Sequence, residues 1–495
     1  MKPGLIGRLA RRAGATSDSL TRRQLLKGAA ATSAGLMLGG RFAQARTSAS
    51  APHVIIVGAG FSGLSCAFKL SNAGAWVTVL EARNRVGGRV LSLTDFMEGR
   101  VVEGGAELIG SNHPTWMAYA QHFGLEFRDV TEPESDKAPI VLNGMTYAGE
   151  DLESLWEQID DALSRLNADA RKVNLDRPWE TPGAEQLDNT SLASAFGAWE
   201  MDETARHGAL TLMANDDVLW PDRASYLASL SCIAGGGYEK FWTDSEVFRC
   251  IGGNQQMAFR LAGAIGEEHI RLGTPITRIR LGGPGAAVDL ADGTTVEGDL
   301  VVLTVPPSAW NNFAIEPALP RGYQPSTGPA IKYLSKVSSA FWEKRGLVPG
   351  SLTDTPVGET WEGTDGQRSS ADEPACLTVF SGGQAAQTCL DFPPEQRTQK
   401  FQDQIEAIYP GYSSAVEKTM FMGWPNEKWT QCGYCSPRLG EVTSIYPNLE
   451  KGFEDRLFFA GEYTSLLFTG YMEGGLHSGA KLAKKLAAML SLRLE

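Results

Sequence analysis

The sequence is poor in the residues that build metal centres and disulfide frameworks. Its 495 residues include seven cysteines and six histidines, scattered along the chain. Cys432 and Cys435 form a single C-x-x-C within TQCGYCSP, while Cys66, Cys232, Cys250, Cys376 and Cys389 stand apart. A zinc site needs a second ligand pair at suitable spacing, and none is present, so no metal site is expected. A thioredoxin-like pair wants its motif at a helix start, whereas this one brackets Gly433 and Tyr434 in a loop-like stretch. A structural disulfide stays open in an oxidising compartment. Internal repeats and low-complexity tracts are lacking, which argues against a solenoid or a disordered chain. Positive charge is short as well, with 45 Lys and Arg against 58 Asp and Glu. Phosphate backbones need basic partners, so a nucleic-acid role is not expected. Solubility alone accounts for this acidity, although the field would also draw small cations.

The length suits two domains rather than one core. Near the N-terminus, TRRQLLK (residues 21–27) precedes the weakly apolar run GAAATSAGLMLGG and then RFAQA. That run is shorter than the roughly twenty residues of a membrane helix, so no membrane span is expected. With its Ala43-Gln44-Ala45 site, the segment 1–45 resembles a twin-arginine export signal, the alternatives being a basic arm or an uncleaved anchor. The resemblance implies a periplasmic or secreted protein that crosses the membrane folded. Residues 1–45 carry eight Lys/Arg and one acid, Asp18, so their removal moves the formal charge from −13 to −20.

A dinucleotide motif follows in VIIVGAGFSGLSCAFKLSNAGAWVTVLEARNRVGGRV. A buried strand over Val54–Val57 runs into Gly58-Ala59-Gly60-Phe61-Ser62-Gly63, then an amphipathic helix, then a strand over Trp76–Leu80 ending at Glu81. Gly58 permits the tight turn, Gly60 lets a pyrophosphate approach the backbone, and Gly63 lets helix and strand pack closely. The helix start offers unpaired N–H groups to phosphate, and Glu81 can accept from a ribose diol.

Beyond Glu81 come Ala82, Arg83, Arg85, Gly87, Gly88 and Arg89, and this E-A-R-x-R-x-G-G-R extension resembles the FAD-binding segment of the flavin amine oxidase family. The resemblance continues through Glu103-Gly104-Gly105-Ala106-Glu107, RCIGGNQQMAFRLA, IRLGTPITRIRL, LVVLTVPPSAW and the closing RLFFAGEYTSLLFTGYMEGGLHSGAKLAKKL. It implies a mixed α/β fold, with a Rossmann-type FAD domain assembled from residues 51–115, 237–308 and 435–490. The intervening 116–236 and 309–434 would form a substrate domain of mixed sheet and helices. It also assigns Arg89 to the pyrophosphate, Ile276 to the adenine, Glu462 to the ribityl or ribose, and Gly470, Tyr471 and Met472 to the pyrimidine end of the flavin.

The family's reaction passes a hydride from the carbon beside a neutral amine to flavin N5; the imine then hydrolyses, and O₂ reoxidises the flavin to give H₂O₂. Lys332, ten residues before the Trp342 of a Phe-Trp pair, resembles the family lysine that holds a water at N5. A buried lysine could also act as base. Tyr434 and Tyr471 would form two aromatic walls of a substrate channel. Some relatives attach FAD through a cysteine immediately before the first tyrosine; Gly433 stands there, so FAD is expected without a covalent link.

The substrate is an L-amino acid or a primary amine, leaning to a basic one. Ala460-Gly461-Glu462-Tyr463-Thr464 resembles amino acid oxidases, yet their carboxylate-clamping arginine is replaced by the Gly105-Ala106-Glu107 stretch. Glu107 either pairs with a distal cation of the substrate or turns to backbone and FAD hydroxyls. Arg249 is either a carboxylate holder or part of the FAD framework. A dehydrogenase serving a carrier protein and a flavin-binding module without turnover are the rival functions. No oligomeric state can be read from the sequence, and a homodimer remains open.

Overall fold

The computed structural model describes residues 51–131 and 138–493. The expected export segment therefore lies outside the described residues. No helix among those described is long and apolar enough to cross a membrane.

Five strands form a wholly parallel sheet: β1 (His53–Val57), β2 (Trp76–Leu80), β3 (Ile270–Arg271), β4 (Leu300–Leu303) and β5 (Leu457–Phe459), in the order β5-β4-β1-β2-β3. Helices α1 (Phe61–Asn72) and α2 (Met472–Met489) cover one face. Strand alternation sorts the β1 side chains, because successive residues point to opposite faces. Val54 and Ile56 pack with Leu64, Leu476 and Leu486 under the helices. Ile55 and Val57 pack the other way, with Ile279, Val288 and Val296 of a four-stranded sheet built from residues 276–298 and 314–316. A sheet covered on both faces accounts for the unbroken apolar runs IIV and LVVL.

The second domain centres on a seven-stranded sheet. Its main strands are Ala330–Val337, Ala375–Gly382, Val416–Gly423 and Glu359–Glu362. Ile331, Tyr333 and Val337 face an outer core with the helix Pro394–Ile408, where Tyr333 stacks on Phe401 with ring centroids 4.2 Å apart. Alternation then turns Lys332 to the opposite face, toward the dinucleotide domain. Met422, Lys332, Phe380 and Glu359 are register partners on four successive strands, so they form one transverse row on that face.

Two expected domain boundaries shift. Phe127–Asp129 pairs with Phe248–Cys250, and Ala314–Glu316 extends the four-stranded sheet, so the dinucleotide domain reaches past 115 and past 308. Backbone pairing with distant strands decides these edges, and local composition does not report it.

The contact of α1 with α2 has no spare room. A Cβ on Gly479 would lie 2.2 Å from the Ser62 carbonyl oxygen, beside the 3.2 Å contact of the Ser62 and Ser478 hydroxyls. Gly479→Ala is expected to destabilise the protein by about 1–3 kcal/mol, read as a lower thermal midpoint together with weaker FAD retention. An unchanged midpoint would contradict this packing.

Candidate active site

The glycines of the first turn divide the labour expected of them. Gly58 has φ +108, and a Cβ there would strike Thr304 Oγ1 at 2.6 Å. A Cβ on Gly63 would come within 2.0 Å of the Gly58 carbonyl oxygen, so helix and strand touch through backbone. At Gly60 nothing lies nearer than the Gly88 Cα at 3.9 Å, which leaves open space over the start of α1. The N–H groups of the first helical turn have no partner within the helix and face this space, so it fits a pyrophosphate. The Glu81 carboxylate is oriented by the N–H groups of Ala59 and Arg83, both at 2.8 Å.

One cavity of about 310 Å³ runs from this turn into the second domain. It is lined by Gly58, Gly60, Phe61, Ser62, Glu81, Ala82, Arg83, Gly88, Arg89, Gly105, Ala106, Glu107, Ile276, Lys332, Tyr434, Glu462, Gly470, Tyr471 and Met472. Gly63 and Gly104 lie behind it, in packing positions. Residues from four distant parts of the sequence thus meet at one surface.

Several of them are engaged by neighbours. Arg89 pairs with Glu462 at 2.9 Å and donates to the Gly433 carbonyl at 2.9 Å. Glu462 also accepts from the N–H groups of Cys435 and Gly470 at 3.3 and 3.2 Å. Arg83 binds Glu427 and, at 2.7 Å, the Thr430 hydroxyl. Tyr434 donates to the Asp216 carbonyl oxygen at 2.8 Å, and Tyr471 to Glu246 Oε1 at 3.4 Å. Burial drives both phenol pKa values well up, so the two rings stay neutral. The Cys432 and Cys435 thiols are free and buried, and no disulfide joins them.

Glu107 is the most heavily engaged carboxylate. Lys332 Nζ stands 2.6 Å from its Oε2, Arg249 Nε donates to Oε1 at 2.8 Å, and the Trp361 indole donates to Oε1 at 3.0 Å. Arg249 is completed by Asp365 and by the Glu362 carbonyl at 2.9 Å. Burial would push the Glu107 carboxyl up, but Lys332 and Arg249 outweigh it and hold it below the ordinary range. Its partners within the protein are two cations and an indole. Arg249 likewise has no face left for a substrate carboxylate. Lys332, paired with Glu107, also donates to the Glu103 carbonyl at 3.2 Å.

Sequence reasoning missed much of the cavity wall. Trp361, Phe380 and Trp424 line it, as do Asp216, Asp217 and Glu246. Asp216 ends the helix Glu203–Asp216, and the next turn carries Val218 at φ +46. A β-branched residue rarely adopts that conformation, and holding it there costs about 1–3 kcal/mol. The adjacent acids in ANDD at the end of an apolar helix were the one local signal.

Residues 61–487 match the family of flavin containing amine oxidoreductases. The chain belongs to that family. Putrescine oxidase of Kocuria rosea is 28% identical over 412 residues, 77% of this chain and 84% of that one. Flavin-containing amine oxidase B of Homo sapiens is 25% identical over 470 residues, 88% of this chain and 85% of that one. Among solved structures, putrescine oxidase bound to putrescine superposes with TM-score 0.79 at 24% identity, covering 88% of this chain and 99% of that one. Cyclohexylamine oxidase from Brevibacterium oxydans IH-35A gives 0.78 at 24%, with coverages of 89% and 100%. The cofactor is accordingly FAD, and the turn at Gly58–Gly63, Glu81 and the start of α2 would hold it.

Burial is the chief cause of raised pKa values at several carboxyls, among them Glu103, Glu359 and Glu473 at about 7 and Asp217 at about 6. The folded protein keeps these protons where the unfolded chain has released them, so their contribution to stability falls as pH rises from about 4.5 to 7. Glu107 acts oppositely, its contribution being lost as pH falls below about 4.5. Glu103→Gln is therefore expected to flatten the decline of the thermal midpoint between pH 5 and 8, by the equivalent of about 3 kcal/mol. Parallel curves for the variant and the parent would contradict the assignment.

Proposed function

We propose that the protein oxidises a primary amine, in preference to an L-amino acid, to an imine that water converts to a carbonyl compound and ammonia. FAD, when bound, supplies the hydride acceptor, and O₂ is the expected final oxidant, giving H₂O₂. The residues of this chain do the rest. Tyr434 and Tyr471 confine the amine between neutral aromatic surfaces. Trp361, Phe380 and Trp424 exclude water around the reacting carbon. Lys332, fixed by Glu107, presents a donor at one end of this space.

One observation carries the choice of amine over amino acid. Every cation lining the cavity already has an acidic partner: Arg83 has Glu427, Arg89 has Glu462 and Lys332 has Glu107. Arg249, just behind the wall, is taken by Glu107 and Asp365. A substrate carboxylate entering here would be buried without a counter-charge, at a cost of several kcal/mol. The names of the relatives, putrescine oxidase and flavin-containing amine oxidase B, point the same way.

FAD is proposed to be held without a covalent bond. A Cβ at Gly433 would lie 2.5 Å from the Ala330 Cβ and 2.6 Å from its backbone nitrogen, so this backbone leaves no room for a linking side chain.

The test is anaerobic flavin bleaching with matched pairs: arginine and agmatine, lysine and cadaverine, phenylalanine and phenethylamine. The amine of at least one pair is expected to reduce the flavin at least about a hundredfold faster than its amino acid, the scale of about 3 kcal/mol in barrier. Faster reduction by the amino acids would reverse the proposal and reveal a carboxylate clamp.

A further inference from the structure

Lys332 and Glu107 meet on the cavity wall, and the charges that complete their group lie behind it. Lys332 Nζ is 2.6 Å from Glu107 Oε2, and both residues line the cavity. Arg249 holds the other carboxylate oxygen, Oε1, at 2.6 Å and is itself balanced by Asp365. Neither Arg249 nor Asp365 is among the lining residues. Cation and carboxylate thus alternate from the cavity inward, and the charges cancel in pairs.

This arrangement is fixed by the protein alone. Glu107 Oε1 accepts from Arg249 and from the Trp361 indole, and Lys332 donates a further N–H to the Glu103 carbonyl. Burial opposes ionisation of Glu107, but Lys332 and Arg249 outweigh it, so the carboxylate keeps its charge. The side chains of Lys332 and Glu107 are only 7% and 3% exposed, so solvent screens them little and their charges are felt across the cavity.

The parts of FAD share this one cavity. The first turn of α1 suits the pyrophosphate, and Glu81, at the end of β2, suits the ribose of the adenosine half. The length lined by Gly105, Ala106, Glu107, Lys332 and the start of α2 is left for the flavin half. A pair of electrons and one proton convert neutral oxidised flavin into an anionic hydroquinone. A positive charge nearby therefore favours the reduced form, and a negative charge favours the oxidised form.

We propose that Glu107 is the counter-charge that holds down the reduction potential of bound FAD, by cancelling Lys332 at the cavity wall. The pair is then a redox-tuning element as well as a joint between the two domains. This inference rests on the assignment of FAD and is independent of the choice of substrate.

The potential is read on the holoenzyme by equilibration with reference dyes during anaerobic reduction by dithionite, with no amine present. Glu107→Gln is expected to favour the reduced flavin by about tenfold or more, a rise of about 30 mV for a two-electron couple. Lys332→Met is expected to favour the oxidised flavin on the same scale. The double variant, which loses both charges, is expected to return to within about threefold of the parent. It also serves if Glu107→Gln leaves Lys332 unmatched and does not fold, because it buries neither charge. Glu107 is then read as a rise of about tenfold from Lys332→Met to the double variant. A Glu107→Gln potential below the parent's or within about threefold of it overturns the proposal, even where the thermal midpoint falls, and the same limit applies between Lys332→Met and the double variant. Such a result is that of a joint which only holds the domains together. If the potentials move as expected and no amine bleaches the parent, the tuning stands and the oxidase reading falls.

Discussion

The structure depends on one buried charge arrangement, the Glu107 carboxylate between Lys332 and Arg249. Each charge would be expensive to bury alone, and removing one partner of such a pair costs about 3–5 kcal/mol. Glu107 and Arg249 belong to the dinucleotide domain, while Lys332 and Trp361 stand on two strands of the substrate sheet. Their mutual satisfaction therefore fixes how the sheet lies over the flavin-binding turn. It sets the side of the cavity on which Lys332 is presented and locks its Nζ within 2.6 Å of a carboxylate oxygen.

The same pairing sorts charge along the cavity. At one end α1 offers its unpaired N–H groups to phosphate, beside the open face of Gly60. In the middle, cations and acids cancel within the protein. At the far end the cavity is lined by Asp216, Asp217 and Glu246. In the proposed function the dinucleotide takes the first end and the amine lies beyond it. Neutral tyrosines and tryptophans line the space between.

What could be read in advance follows the range of the interactions. The glycines at 58, 60 and 63 and Glu81 act within one strand–turn–helix–strand unit, so spacing alone exposes them. Strand alternation also orients Lys332 once its neighbours Ile331 and Tyr333 are recognised as core. Glu107 was visible as a charged residue in a glycine-rich flavin segment, but its partners are 142 and 225 residues away and no local pattern names them. The distal acids were hidden for the same reason. Asp216 ends a helix, Glu246 precedes a short strand and Glu359 opens another, and only sheet register brings Glu359 into line with Lys332. The boundary past residue 115 shifted because Phe127–Asp129 finds its partner strand more than a hundred residues later.

The most direct test of this charge-sorted cavity is a crystal structure of the dithionite-reduced holoenzyme with agmatine. The account predicts the primary amine between Tyr434 and Tyr471 toward Lys332, and the Glu107 pairing intact. Agmatine with its primary amine away from the two tyrosines, or Glu107 released from Lys332 to bind it, would contradict the account.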